Sequence, residues 1–514
     1  MAPSTAASDA KARAARRVVR IIFFALLLDL LAFTMPLPLF PRIIDDYVQR
    51  EASQTFSSPT LLSRTLSTVR TLRSYLTPAS RTSSVATSSR FDLALLGGLL
   101  GSTFSFCQFL VSPSLGTLSD KYGRKRVLLG SMIGNLVSAA LWLCSGESFG
   151  IYAASRIVGG LSEGNVQLSI AAISDVTTPA TRSKSLALVG IAFSLAFTLG
   201  PSLGAYFAST DLFRLASSPS IKIPLLDTTV ALNSYAVPAA ITFGLLTIET
   251  LYLALRLPET RGWKQEEVVE RDGATVGDDE GSVRRRSVSE RRERLRTLEW
   301  IHFGFLFFFS GAEFTITFLT HNLFDFSNAQ NGRLLGFIGI LSSLLQGGYV
   351  RRASSTPSKT FSLALSGIRM CQFSLLLLSS LPFLSGTRQN STTAEPSRTP
   401  MVVLYLASAG LAYVSATVVN SLNSLASLET DNDDTRDAKG HDERIEKGKA
   451  LGQFRSKGQL GRALGPLFAT SVYWWVSPGV AYAGCAIGTM IVAKRMAKLK
   501  TVGNEDDDER RKTE

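Results

Sequence analysis

A chain of 514 residues with 45% hydrophobic and only 18% charged residues, and with its apolar residues gathered in long runs, excludes a soluble globular domain. The formal net charge of +13 would suggest nucleic acid in a soluble protein. Here the cations crowd the short polar segments between apolar runs, which is the positive-inside pattern of a polytopic membrane protein and argues against a nucleic-acid partner.

Apolar runs of about 17 to 25 residues, each able to cross a hydrocarbon layer of about 30 Å, recur along the whole chain. The first six are expected near Val18–Phe40, Phe91–Pro113, Val127–Ser145, Phe149–Ser174, Leu186–Ala208 and Tyr235–Leu257. The second six fall near Leu298–Thr320, Leu334–Val350, Phe361–Leu384, Met401–Leu425, Leu451–Tyr473 and Trp475–Ala493. The fold expected is therefore an all-α membrane protein of twelve spans in two six-helix bundles, residues 18–257 and 298–493, since backbone groups in lipid must pair within helices.

The N-terminal tail, 1–17, ends in Arg16 and Arg17, and Arg20 follows at the start of span one. No signal-peptide cleavage pattern follows the first apolar run, which is read as a retained span. The outer loop 41–90 carries seven Arg, but long loops cross largely regardless of charge; its Ser and Thr content suggests disorder. Between spans two and three lies the basic turn GTLSDKYGRKR, Gly116 to Arg126, which the charge rule places in the cytoplasm.

Residues 258–297 hold GDDEG and then RRRSVSERRERLR, read as a solvated cytoplasmic linker in preference to an amphipathic helix on anionic lipid, with Ser287 and Ser289 as candidate phosphorylation sites. Asn390 with Thr392 forms an acceptor sequence for N-glycosylation in a loop the span count places outside. A polar insertion, Glu429–Lys447, precedes span eleven, and Lys494, Arg495, Lys498 and Lys500 open a basic C-terminal tail, 494–514. Both termini come out cytoplasmic.

An ionisable group near the bilayer centre costs about 2.5–3.5 kcal/mol on insertion scales and has to be offset by a partner or a role. Asp29, Glu163 and Glu313, on spans one, four and seven, lie at that depth, with Glu249 on span six nearer the cytoplasmic end. Possible positive partners are Arg156 on span four and Arg455 and Arg462 on span eleven, seven residues apart and close to one helical face. In a cavity the two span-eleven arginines would attract an anion; otherwise each pairs structurally with an acid. Gln108, Asn165, Gln167, Asn420 and Asn423 either orient a ligand or bond across helices. His321 has no second ligand at metal spacing, and Cys107, Cys144, Cys371 and Cys485 fall within or at the ends of spans, so no metal, disulfide framework or cofactor is expected.

Lys184–Pro201 and Lys449–Pro466 both open on Lys and close on Gly-Pro. Gly452, Gly461 and Gly465 before Pro466 are matched by Ala187, Ala196 and Gly200 before Pro201, with Gly204 following, so spans five and eleven look like equivalent members of a parallel repeat. Small residues at such spacing let helices approach closely, and the proline loosens one backbone hydrogen bond.

Taken together, these runs resemble the major facilitator superfamily of secondary transporters. The basic turn reads G-x-x-x-D-K-x-G-R-K-R like the family's loop between its second and third helices. There the resemblance implies a conformational latch of Gly116, Asp120, Gly123 and Arg124, with Asp120 set near the N-terminal end of span eleven. RIVGG resembles the span-four motif, which implies a part for Arg156 in proton transfer, with Asp29, Glu163 and Glu313 as further candidates. Gly200, Pro201 and Gly204 look like the antiporter segment of span five, with Ala187 and Ala196 as departures; a plain packing face is the alternative.

RIVGGLSEGNVQLS, GIAFSLAFTLGPSLGA, FSGAEFTITFLTH, QGGYVRR and SVYW place the resemblance in the branch that holds tetracycline proton antiporters. It implies a proton-coupled antiporter exporting amphipathic organic anions or drugs, with the lipid bilayer, a small solute and protons as partners; the residues themselves offer Gln108, Asn165, Asn420 and Arg462 as substrate-contact candidates, and Arg455 as one for which structural pairing is favoured. A facilitative uniporter or symporter, or a non-transporting sensor or scaffold, is the alternative. No nucleophile, base and orienting group at recognisable spacing point to an enzyme. A monomer in the plasma membrane, the vacuole or another internal membrane is expected.

Overall fold

The computed structural model describes residues 3–36, 39–53, 60–76, 85–146, 148–209, 220–223, 228–231, 235–263, 287–326, 328–353, 356–386, 398–430 and 445–513. Helices occupy each of the expected span positions. Span one is Pro3–Thr34, two is Val85–Tyr122, three is Arg124–Leu143, five is Pro179–Ser209 and six is Ala236–Arg256. In the second half, span seven is Val288–Phe324, nine is Pro357–Gly386, ten is Thr399–Glu429, eleven is Lys447–Trp475 and twelve is Pro478–Thr513. Spans four and eight are composite: Phe149–Ser162 with Asn165–Val176, and Asn328–Leu345 running through a π-helical turn, Gln346–Val350, into Arg351–Ala353. Among the described residues, seven helices are long and apolar enough to cross a membrane, namely spans three, five to ten. A small antiparallel hairpin, Ser220–Ile223 with Thr228–Ala231, joins spans five and six, Ser220 facing Ala231 and Ile223 facing Thr228.

Packing follows the two halves. Span one lies against five and six, and three against four and six; in the second half nine packs on ten and twelve, and seven on eleven. Across the halves, the extensive contact is span two with span eleven, joined by five with eight and with ten. The small residues explain how close these helices come. A side chain at Gly116 would strike the carbonyl of Gly448, and one at Gly452 the carbonyl of Ser112, both across the span two–eleven contact. On the opposite face of span eleven, Gly461 and Gly465 lie under the carbonyls of Phe303 and Phe307 of span seven. In span five, Gly200 and Gly204 sit against Thr34 and Met35, and the Thr34 hydroxyl donates to the Ala196 carbonyl at 2.9 Å. Pro201 and Pro466 stay within their helices, each one residue after the packing glycine.

Three local expectations change. The first outer loop is not structureless: Phe40–Ser53 and Leu61–Leu76 are helices. Their apolar residues recur at helical spacing among the serines and arginines, so Ile43, Ile44, Tyr47, Leu62 and Leu66 are buried with Leu96, Trp142, Phe149 and Tyr152. The Tyr47 hydroxyl also bonds Ser145 Oγ at 3.1 Å. Average composition hid that stripe.

The basic end of the linker is not a tether either, because the span-seven helix starts at Val288, ten residues before the apolar run. Ser287 and Glu290 cap it reciprocally, and Arg291 and Arg294 bind Glu429 at the end of span ten. Span four, expected as one helix over Phe149–Ser174, breaks at Glu163 and Gly164. Asn390 and most of the Glu429–Lys447 insertion lie outside the described residues.

Replacing Gly465 by Leu would force span eleven off span seven, at a cost of about 1–3 kcal/mol for overpacking. The melting temperature in detergent is expected to fall. Gly101→Ala, where a methyl group meets nothing within 4 Å, is expected to leave it unchanged or slightly raised.

Candidate functional site

The break in span four creates a polar centre inside the first half. Interrupting a helix frees backbone groups that lipid cannot satisfy, and a side chain has to serve them. Ser131 of span three does so, its hydroxyl accepting from the Gly164 N–H at 2.9 Å and donating to the Ser162 carbonyl. One turn further on, Asn135 donates to Glu163 Oε2 at 3.1 Å. Asn165, first residue of the second segment, donates to Asp29 Oδ1 at 2.8 Å. Asp29 and Glu163 are almost fully buried, and Glu249 of span six is buried within electrostatic range of both.

Three carboxyls gathered in one buried place need positive charge or protons. Positive charge arrives from the other half: Arg455 of span eleven interacts electrostatically with Glu163 and Asp29. It can do so because the span-eleven glycines bring its backbone against span two. Arg462, two turns on, interacts with Glu313 of span seven. Glu313 is accessible while Arg455 and Arg462 are half-buried. Buried His302, which the sequence reading passed over, stacks on Phe454 at 4.2 Å and donates its Nδ1–H to the Phe454 carbonyl at 3.2 Å, within electrostatic range of both arginines.

The other candidates go elsewhere. Arg156 stands two turns before Glu163, its guanidinium 5.8 Å from the Phe104 ring centroid and 5.9 Å from that of Tyr152. Gln108 is buried in span two, and the nearby Ser112 carbonyl accepts from Gln167 at 3.0 Å. Asn420 and Gln346 both lie against Gly190, where spans five, eight and ten converge. Asn423 is buried in span ten, and His321 lies at the end of span seven beside Phe326 and Asp325. Ser131, Asn135 and Gln346 were missed by sequence reasoning. Their signal was a polar pair four residues apart in an otherwise apolar span, and a glutamine opening the Gly-Gly of a π-helical turn.

The basic turn binds across the halves. Asp120 accepts from the backbone N–H groups of Gly448 and Lys449, both at 2.8 Å, at the first turn of span eleven. Free N–H groups and the helix dipole favour a carboxylate there. Arg124 lies 2.7 Å from Asp120 and 3.0 Å from Asp175, which Lys447 approaches at 3.3 Å. Glu259 receives the N–H groups of Arg124 and Lys125 at 2.8 and 3.2 Å. Gly123, at φ +99°, makes the turn that separates spans two and three.

A second tie lies at the ends of spans four, five and ten. Ser174 bonds Ser427 at 2.8 Å, Ser183 bonds Ser424 at 2.7 Å, and Arg182 donates to the Ser427 carbonyl at 3.1 Å. Asp175, Glu259 and the serine pairs complete a closure of which sequence gave only the first turn.

The Major Facilitator Superfamily profile matches residues 22–433. Major facilitator superfamily domain-containing protein 10 of Mus musculus is 32% identical over 491 residues, covering 94% of this chain and 93% of that protein. The crystal structure of the human organic anion transporter MFSD10 (TETRAN) superposes with a TM-score of 0.69 at 28% identity, covering 94% of this chain and 99% of that one. The E. coli fucose:proton symporter FucP has the same fold, with a TM-score of 0.52 at 11% identity.

If Asp120 holds the two halves together at this end, Asp120→Asn, which loses the charge that binds Arg124, loosens it. In a background without the native cysteines, a cysteine at Ser424 is expected to react faster with a membrane-impermeant maleimide when Asp120 is Asn. An unchanged labelling rate would count against the latch.

Proposed function

The chain belongs to the major facilitator superfamily, and from that premise we propose that it is a proton-coupled transporter of small amphipathic organic anions, working by alternating access to a chamber between its two six-helix halves. The carrying observation is Arg455, a cation of the second half within electrostatic range of the buried acids Asp29 and Glu163 of the first, which Asn165 and Asn135 hold in place. Arg462, two turns along the same helix, adds a second half-buried cation, within electrostatic range of accessible Glu313. The human relative of solved structure is itself described as an organic anion transporter, which agrees with a chamber bordered by two arginines.

The acids and the solute compete for one guanidinium. While Asp29 and Glu163 are ionised they hold Arg455, and a proton on either weakens that hold and leaves the arginine for a solute carboxylate or sulfonate. Proton and anion then bind together, and by linkage each strengthens the other. Coupling of that sign is symport, so the geometry favours the symport alternative over the expected antiport.

The antiport reading rests on a different feature. Gly200 and Gly204 of span five pack on Thr34 and Met35, one to two turns along span one from Asp29, so flexing at Pro201 would reach the acid directly. Both readings share the chamber and the acids and differ in the sign of coupling. The basic turn and basic tails support a cytoplasmic position for the closed end. Asp120 and the serine pairs then stabilise the state that faces outward, and a single chain contains the whole chamber.

In proteoliposomes, an inside-alkaline gradient is expected to accelerate uptake of a labelled aromatic carboxylate; slowed uptake would establish antiport, and indifference to the gradient would remove the proton. Arg455→Gln is expected to weaken anion affinity about tenfold or more, the loss of a charge-assisted hydrogen bond worth about 1.5–3 kcal/mol. Glu163→Gln is expected to keep anion exchange while flattening its pH dependence, measured as counterflow across a pH series.

A further inference from the structure

We propose that a groove between the basic ends of spans two, seven and eleven binds the headgroup of an anionic phospholipid, a site separate from the transport chamber. The groove encloses about 730 Å³ and has Pro113 of span two at one side. Its cations are Arg292 and Arg296 of span seven and Lys449 and Lys457 of span eleven, against the carboxylates of Glu299 and Glu446. Lys449 lies 3.5 Å from Glu446, and Glu299 lies in the field of Lys457 and Arg296, so positive charge remains in excess.

These cations sit on rigid supports. The span-seven helix runs ten residues beyond its apolar stretch, capped by Ser287 and Glu290. One face of that extension, Arg291 and Arg294, is fixed to Glu429. Arg292 and Arg296, four residues apart, occupy the neighbouring face and line the groove. A preorganised cationic pocket between membrane helices is the chemistry that recognises a phosphodiester headgroup.

The surroundings select a lipid over free phosphate. Trp300 is 46% exposed at the groove, with the Lys457 ammonium 4.9 Å from its ring centroid, in the manner of an aromatic residue at the headgroup level. From Trp300 an aromatic track runs along the span seven–eleven seam. Trp300 to Phe303 is 5.6 Å between centroids, Phe303 to Phe307 5.9 Å and Phe307 to Phe468 5.2 Å. Leu464 and Phe468 are exposed beside it, offering an apolar face to an acyl chain. Bound there, the lipid touches the first turn of span eleven, whose Gly448 and Lys449 N–H groups hold Asp120.

The test compares the full chain in nanodiscs of phosphatidylcholine alone and of phosphatidylcholine with phosphatidylinositol, reading retained lipid by native mass spectrometry and the melting temperature. Phosphatidylinositol is expected to be retained and to raise the melting temperature. Each surface cation contributes a factor of about five, so the Arg296→Gln, Lys457→Gln double variant is expected to lose retention about thirtyfold. A Lys494→Gln, Lys498→Gln double variant is expected to lose none. Trp300→Leu keeps every charge and serves if the double variant does not fold; it is expected to lower retention as well.

Equal retention by groove and control variants overturns the site. Inositol phosphate that stabilises the protein equally in phosphatidylcholine discs overturns the lipid in favour of free phosphate. An acidic peptide that alone protects the groove overturns it in favour of a protein partner.

Discussion

A helix that must carry charge through the membrane has to place each charge next to its partner, and span eleven does this by backbone contact. Gly452 lets it lie on span two, and Gly461 and Gly465 let span seven lie on it. Larger side chains would hold these axes apart, since helix pairs ordinarily sit 8–10 Å from one another. At the close approach, Arg455 comes within electrostatic range of acids of the first half and Arg462 within range of Glu313. The glycines are therefore the condition for the electrostatics, and packing and charge placement are one feature of the same helix.

Span four supplies the other half of that arrangement by not being a continuous helix. Its interruption turns Glu163 and Asn165 toward Asp29 and leaves a carbonyl and an N–H that the Ser131 hydroxyl satisfies together. Discontinuous helices near the middle of a transporter commonly mark its binding region, because freed backbone groups and helix ends are tolerated only where they face protein or water. In this chain the interruption presents side-chain carboxyls to a cation from the opposite bundle.

The buried acids and the cross-half contact at Asp120 meet the same helix at different points. Asp120 grips the first turn of span eleven, while Arg455 lies two turns further along it. A rigid helix transmits a change at either place to the other. The serine pairs between spans four, five and ten form a second tie of neutral hydrogen bonds, weaker singly than a charged one and readily exchanged for water when the halves part. The basic groove on span seven lies at the same end, where the capped extension of that helix makes what reads as a loop into a firm wall.

Hydrophobic runs, charge asymmetry and the Gly-Pro repeat indicated how many helices to expect, their order and the residue classes that bear charge, because hydropathy and helical period are local properties of a chain in lipid, and the motif resemblance added the family. Asp29, Glu163, Arg455 and the Asp120 turn were legible for that reason. Their partnerships were not: Asn135 with Glu163, Ser131 with the span-four break, Glu259 and Asp175 with Arg124, and Gln346 with the Ser415 carbonyl join residues far apart in the chain. The helical content of the first loop and of the linker's end was likewise hidden, since each gains its stability from burial against or bonding to other elements. What one helix can be is written along the sequence; which charges face each other is decided only when close backbone contact sets one helix against another.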